Sequence, residues 1–75
     1  PDDELLAAVL AKLFAERGIK VSDDLIRWLV VRMERSLVAA QAAVAALDAA
    51  ALARRRAITI PLAREVVDGQ GEFGF

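Results

Sequence analysis

The sequence predicts an all-α fold, a small bundle of four helices. Apolar residues recur at intervals of three and four positions in the first three segments, as they do on one face of a helix. An Asp, Ser or Thr precedes each segment at a position where it can cap the helix. The length of 75 residues allows one small domain with a thin core.

The first predicted helix begins after Asp2 or Asp3, and either side chain can cap its N-terminus. Glu4 adds a negative charge to the first turn, which the helix dipole favours. The helix ends before Gly18, at the position where helices usually take a left-handed residue. The predicted apolar stripe contains Leu5, Leu6, Val9, Leu10, Leu13 and Phe14.

The second helix has Ser22 as its predicted N-cap, followed by Asp23 and Asp24 in the first turn. We interpret this acidic pair as part of a helix start and predict no metal site. The predicted buried face contains Leu25, Ile26, Leu29, Val30 and Met33.

The apolar spacing would also permit one continuous helix from the second segment to about Arg55. Such a helix would be roughly three times the average length. We therefore predict a turn through Glu34 and Arg35, after which Ser36 caps a third, alanine-rich helix over about 37–55. Its predicted stripe contains Leu37, Ala40, Val44 and Leu47.

The fourth helix is short and follows an extended piece at 58–61, Ile-Thr-Ile-Pro. Thr59 is its predicted N-cap, because proline is tolerated only in the first turn of a helix. The helix carries Leu62, Val66 and Val67 and is predicted to end before Gly69. The prediction for domain organisation is one helical unit over 1–68 and an irregular tail over 69–75.

The composition suggests more apolar surface than a small bundle can bury. Hydrophobic residues make up 57% of the chain, so an absent partner surface or a dimer would explain the excess. Because the chain begins with Pro1, we expect it to be a piece of a longer protein.

Several functions are excluded or made unexpected by composition. The chain has no Cys and no His, which removes disulfides, thiolate and imidazole ligands, and the commonest general bases and nucleophiles. The net charge of −1 provides no basic field for direct nucleic-acid binding. The longest uncharged stretch, 36–47, is too short to span a bilayer. We expect a cytoplasmic location.

Four stretches, taken in order, carry a resemblance to a known family. They are ERGIKV at 16–21, LVVRMER at 29–35, ALD at 46–48 and ITIPLAREV at 58–66. The chain resembles the C-terminal lid of Hda-type proteins, which are DnaA-related AAA+ regulators of replication initiation. DnaA is similar here but continues into a helix-turn-helix domain, so the end of this chain favours the Hda type.

The resemblance implies a four-helix AAA+ lid-like bundle that packs on a nucleotide-binding base. It implies that the full-length protein, bound to ADP and to the DNA-loaded sliding clamp, makes DnaA hydrolyse its ATP. The partners would be its own base, DnaA and the clamp, and the nucleotide would be ADP or ATP. Because the catalytic machinery of the family lies in the base, we expect no cofactor and no enzymatic activity in this fragment.

The resemblance also suggests a nucleotide-binding residue. AAA+ lids usually supply an arginine, called sensor II, from the first turns of the third lid helix, and its planar charged group suits phosphate oxygens. In an ungapped comparison Val38 occupies that position. Arg35 lies one turn earlier and is the candidate substitute.

Partner-binding candidates come from three places in the sequence, and two of them precede the tail. Trp28 and Arg32 could form an interface, although burial of the tryptophan and a solvated face for Arg32 and Arg35 are the alternatives. The run 54–56, Arg-Arg-Arg, could contact an acidic partner or DNA, or it could complement a helix C-terminus.

The tail has the spacing of a clamp-binding peptide, with Gln70 as the polar anchor and Phe73 and Phe75 as apolar anchors. The alternative is an end without a fixed structure. Two other interpretations of the whole chain stay open. One is a stand-alone module that dimerises through its alanine-rich helix, and the other is the lid of DnaA itself or of another AAA+ ATPase.

Overall fold

The computed structural model describes residues 2–70, with side chains described to residue 67. These residues form four α-helices and no β-strand, so the predicted all-α class is confirmed. The helices are α1 (Asp3–Glu16), α2 (Asp23–Arg32), α3 (Leu37–Arg54) and α4 (Ile60–Gln70).

A side-chain cap begins each helix, as predicted. The capping oxygen accepts a hydrogen bond from the backbone N–H three positions on, which satisfies a donor that the helix leaves free. The caps and their distances are Asp2 at 2.8 Å, Ser22 at 3.1 Å, Ser36 at 3.0 Å and Thr59 at 3.3 Å. The predicted break between the second and third helices is therefore confirmed at Ser36.

Both α1 and α3 end in the same hydrogen-bonding motif, with a left-handed residue just past the helix. After α1 this residue is Gly18, with φ of 71°, and the N–H of Ile19 donates to the Phe14 carbonyl at 2.9 Å. After α3 it is Arg55, with φ of 53°, and the N–H of Arg56 donates to the Ala51 carbonyl at 3.0 Å. This pattern is a Schellman motif, in which glycine is the usual residue.

The fourth helix begins at Ile60, as the predicted Thr59 cap requires, so Ile60 and Pro61 of the predicted extended piece are helical. Its end differs from the prediction, because the helix runs through Gly69 to Gln70 instead of ending before Gly69. A glycine costs a helix only about 1 kcal/mol relative to alanine, which is too little to end α4 by itself.

α1 and α3 run in the same direction. Arg35, just before α3, pairs with Asp3 at the start of α1, and Asp48 in α3 pairs with Arg17 at the end of α1, at 2.8 Å. Because these contacts follow the same order along both helices, α1 and α3 are parallel. Small buried residues on α3, namely Ala39, Ala40 and Ala43, let the neighbouring helices approach closely.

The core contains apolar side chains from every helix and no buried polar or charged side chain among residues 2–67. Its largest members are Phe14, Leu6, Leu10, Leu25, Leu29, Leu47 and Leu62. Of the predicted stripes, Leu5 and Leu37 are 54% and 53% exposed, whereas Val9 and Leu13 are partly buried against the core. Leu5 is one residue, or about 100° of helix rotation, from the buried line of Leu6 and Leu10. Leu37 is the first residue of α3 and precedes Ala39, the first buried residue of that helix.

One helix in the described part of the chain, α3, is long and apolar enough to cross a membrane, by length and composition only. A core helix of a soluble protein can have the same length and composition. At 18 residues the helix is about 27 Å long, slightly shorter than a bilayer core. It also carries Asp48, whose carboxylate is paired with Arg17 within the bundle. Only 28% of this helix is buried inside the bundle, so packing against α1 and α4 accounts for only part of its apolar composition.

Candidate functional site

The candidate nucleotide-binding residue, Arg35, lies in the turn between α2 and α3, one position before the N-cap Ser36. Its guanidinium pairs with the carboxylate of Asp3, and about half of each side chain is exposed. An exposed pair of this kind contributes about 0–1 kcal/mol. Arg35 could therefore exchange Asp3 for another anion at small cost.

The first turn of α3 exposes two adjacent apolar side chains. Val38 is 75% exposed, and Leu37 is 53% exposed. We call this pair the α3 start. A groove of about 270 Å³ adjoins it, where Leu37 and Gln41 of α3 face Val9 and Leu13 of α1. The α3 start therefore offers an apolar surface where the resemblance suggested a charged contact.

Trp28 and Arg32 are engaged with each other along α2. The guanidinium carbon of Arg32 lies 4.3 Å from the centroid of the Trp28 ring, and its Nη1 donates to the Trp28 carbonyl at 3.2 Å. The indole is half-buried, and its buried Nε1–H finds no acceptor among the described residues. Trp28 is therefore neither fully buried nor an open contact surface, because Arg32 covers its ring.

The run of three arginines links the end of α3 to α4 through ion pairs. Arg54 is the last residue of α3, as expected for a cation that complements the helix dipole. Arg54 and Arg56 both donate to the Glu65 carboxylate of α4, at 3.2 and 2.7 Å. Arg55, between them, is the left-handed residue of the helix end.

A second apolar surface, which was not predicted from the sequence, lies at this end of α3. Leu52 is 73% exposed and lines a groove of about 440 Å³ together with Ile19, Ala51 and Ile58. We call it the Leu52 groove. Its charged lining residues are Lys20, Asp48, Arg55 and Arg56. Asp48, Leu52 and Arg55 follow helical spacing in one run of sequence. Lys20 comes from the turn after α1, and sequence spacing gives no signal that it lies beside them.

The predicted clamp-binding tail is mostly outside the described part of the chain. Gln70 is the last residue of α4, and only its backbone is described. Its side chain lies outside the described part of the chain, as do Phe73 and Phe75. The role of these three residues stays a prediction.

Comparison with known proteins agrees with this architecture. The family model described as "Hda, lid domain" matches residues 2–67, a span that includes α1, α2, α3 and most of α4. No curated protein and no solved structure matched the chain. The matched span covers most of the 75 residues and contains the stretches on which the resemblance rested. The chain therefore belongs to the Hda lid-domain family, whose members are lids of AAA+ proteins and associate with a AAA+ base domain.

Proposed function

We propose that this lid packs on its AAA+ base through the α3 start and closes over ADP or ATP bound there. In the intact protein it would serve the regulatory inactivation of DnaA, in the cytoplasm. The lid would contribute packing and a partner surface, and hydrolysis would be carried out by other parts of the assembly.

The exposed apolar pair at the α3 start is the observation that carries this proposal. Full burial of a Val or Leu side chain contributes about 1.5–3 kcal/mol, so docking of Leu37 and Val38 would hold a small lid closed. In the family, the first turns of this helix approach the nucleotide phosphates. With Val38 at that position, the lid would close by apolar contact, and the base would bind the phosphates.

A pair of matched substitutions in the intact protein tests the docking face. Val38→Asp places a carboxylate in the first turn of α3, and Val31→Lys places an ammonium in the last turn of α2. Each charge suits the dipole of its own helix, and the replaced side chains are 75% and 73% exposed. We expect Val38→Asp to weaken ADP binding at least tenfold in a fluorescent-ADP titration, and Val31→Lys to leave it unchanged. Equal affinities for both variants would refute docking through the α3 start.

A second pair of variants determines whether Arg35 contacts the phosphates. Arg35→Ala and Asp3→Ala both break the same ion pair, but only the first removes the guanidinium. A charge-assisted contact to phosphate would contribute about 1.5–3 kcal/mol. We expect both variants to lose less than tenfold in ADP affinity. A hundredfold loss confined to Arg35→Ala would identify Arg35 as the sensor and contradict the assignment of Val38.

The proposed role in DnaA regulation has its own test. The intact protein and a variant without the lid are compared for stimulation of ATP hydrolysis by DnaA in the presence of the DNA-loaded clamp. We expect stimulation to be lost when the lid is removed. If the folded protein without its lid stimulates ATP hydrolysis by DnaA fully, the lid is not needed for this regulation.

A further inference from the structure

We propose that the Leu52 groove is a docking site for a segment of a partner protein that carries acidic and apolar side chains. The groove is separate from the α3 start, because Leu37 and Leu52 are 15 residues apart on one straight helix, or about 22 Å along its axis. A partner at the groove and the base at the α3 start can therefore be bound together.

The lining of the groove indicates that the partner segment carries apolar side chains. Leu52 is 73% exposed, while Ile58 beneath the surface is 7% exposed, and Ile19 and Ala51 are half-buried. A volume of about 440 Å³ is in the range of pockets that hold a small ligand, so it has room for a few apolar side chains. Leu52 would lose most of its contact with water when they bind.

The rim sets the charge of the partner. The groove is lined by three cationic side chains and one carboxylate in a chain whose net charge is −1. The carboxylate, Asp48, pairs with Arg17, and Arg56 pairs with Glu65. Within residues 2–67, Lys20 and Arg55 form no ion pair. These two cations are available to carboxylates that flank an apolar anchor, and such complementary charge favours one class of partner over others.

Two other grooves among the described residues carry no excess of basic side chains. The groove between α1 and α2 has Asp3 and Glu4 with Arg27. The groove beside the α3 start has Lys12 with Glu16. Among the three, the Leu52 groove combines an apolar lining with an uncompensated basic rim.

The backbone of Arg55 is an independent observation at the same rim. Its φ of 53° and ψ of 45° lie in the left-handed region, where residues other than glycine are disfavoured. The equivalent position after α1 is Gly18. This conformation belongs to the Schellman motif that ends α3, and it holds the Arg55 cation at the edge of the groove. The apolar lining favours a protein segment over the phosphate backbone of a nucleic acid as the occupant.

The experiment uses the 75-residue chain and a phage-displayed library of random 16-residue peptides. Peptides are selected on the unaltered chain, and their affinities are then measured for Leu52→Lys, Arg55→Gly and the control Val31→Lys. Leu52→Lys removes the apolar anchor and adds a cation that suits the end of α3. Arg55→Gly removes the rim charge and places glycine where the backbone favours it, so this variant is expected to stay folded, which circular dichroism checks.

We expect the selected peptides to be enriched in Asp or Glu together with Leu, Ile or Phe. They should bind Leu52→Lys and Arg55→Gly at least tenfold more weakly and Val31→Lys unchanged. Amide NMR shifts on peptide binding should concentrate at Ile19, Leu52 and Ile58.

Four results would overturn the proposal. They are peptides without acidic enrichment, affinities that Leu52→Lys does not change, light scattering in which Leu52→Lys turns a dimer into a monomer, and a duplex oligonucleotide that displaces the peptides. The third result would assign the groove to a second copy of the chain, and the fourth would assign it to nucleic acid.

Discussion

Replacing Arg55 by glycine is expected to stabilise the folded domain, although it removes a charged side chain at a helix end. Arg55 holds φ of 53° in the Schellman motif that ends α3, a conformation that costs an L-residue about 1–2 kcal/mol. Glycine adopts it without this cost but loses about 0.5–1 kcal/mol more backbone entropy on folding. Arg55 forms no ion pair within residues 2–67, so the loss of its side chain adds little.

The difference between the midpoints of the two terms predicts a gain of about 0.75 kcal/mol in the free energy of unfolding. For a domain of this size that corresponds to a rise of about 3–6 °C in Tm. Thermal and urea denaturation of the 75-residue chain, followed by circular dichroism at the helical band, would measure it.

Gly18 provides the opposite substitution in the same motif. Its φ is 71°, and a Cβ added there would meet no atom within 4 Å, so the cost of Gly18→Ala comes from the backbone alone. We expect Gly18→Ala to lower the free energy of unfolding by about 1 kcal/mol. A loss of stability in Arg55→Gly, alongside the expected loss in Gly18→Ala, would show that the Arg55 side chain stabilises the fold and would refute the reasoning.

Three further changes have defined outcomes. Ser36→Ala removes the cap that receives the Ala39 N–H at 3.0 Å and should cost about 1 kcal/mol in urea denaturation, with Ser36→Gly costing less. Leu47→Ala empties a fully buried core position and should cost about 2–5 kcal/mol, which circular dichroism would record as partial or complete unfolding. Arg32→Ala uncovers the Trp28 ring, whose centroid lies 4.3 Å from the guanidinium, and should shift tryptophan emission to longer wavelength while stability changes by about 1 kcal/mol or less. Unchanged emission would contradict the stacked arrangement.

Local chemistry explains why the helix starts could be predicted from the sequence. An N-cap needs only a short polar side chain and the N–H groups of the next turn, so Ser22 and Ser36 identify their helices without knowledge of the fold. The same holds for Gly18, which the end of α1 requires for its left-handed backbone. Arg55 shows the limit of that reasoning, because the motif at the end of α3 accepts a residue that is atypical there.

Which apolar residues face the core could be predicted less well, because this depends on the neighbouring helices. Leu5 and Leu6 are equivalent by spacing, yet Leu6 is buried and Leu5 is 54% exposed. On α3 the spacing gave Leu37 a place in the core, whereas the buried positions of its first turns belong to alanines. The Leu52 groove and the Arg35–Asp3 pair were not predictable, since each joins residues that are far apart in the sequence.

The distribution of large and small apolar residues on α3 separates folding from binding. Its buried face is largely alanine, while Leu37, Val38 and Leu52 are more than half exposed. An exposed apolar side chain contributes little to the free energy of unfolding, because it is also exposed in the unfolded chain. Surface changes of this kind usually alter stability by about 0.5 kcal/mol or less. Substitutions at Val38 and Leu52 should therefore leave the domain folded, so that any loss of nucleotide or peptide affinity they cause reports on a contact with another domain or protein.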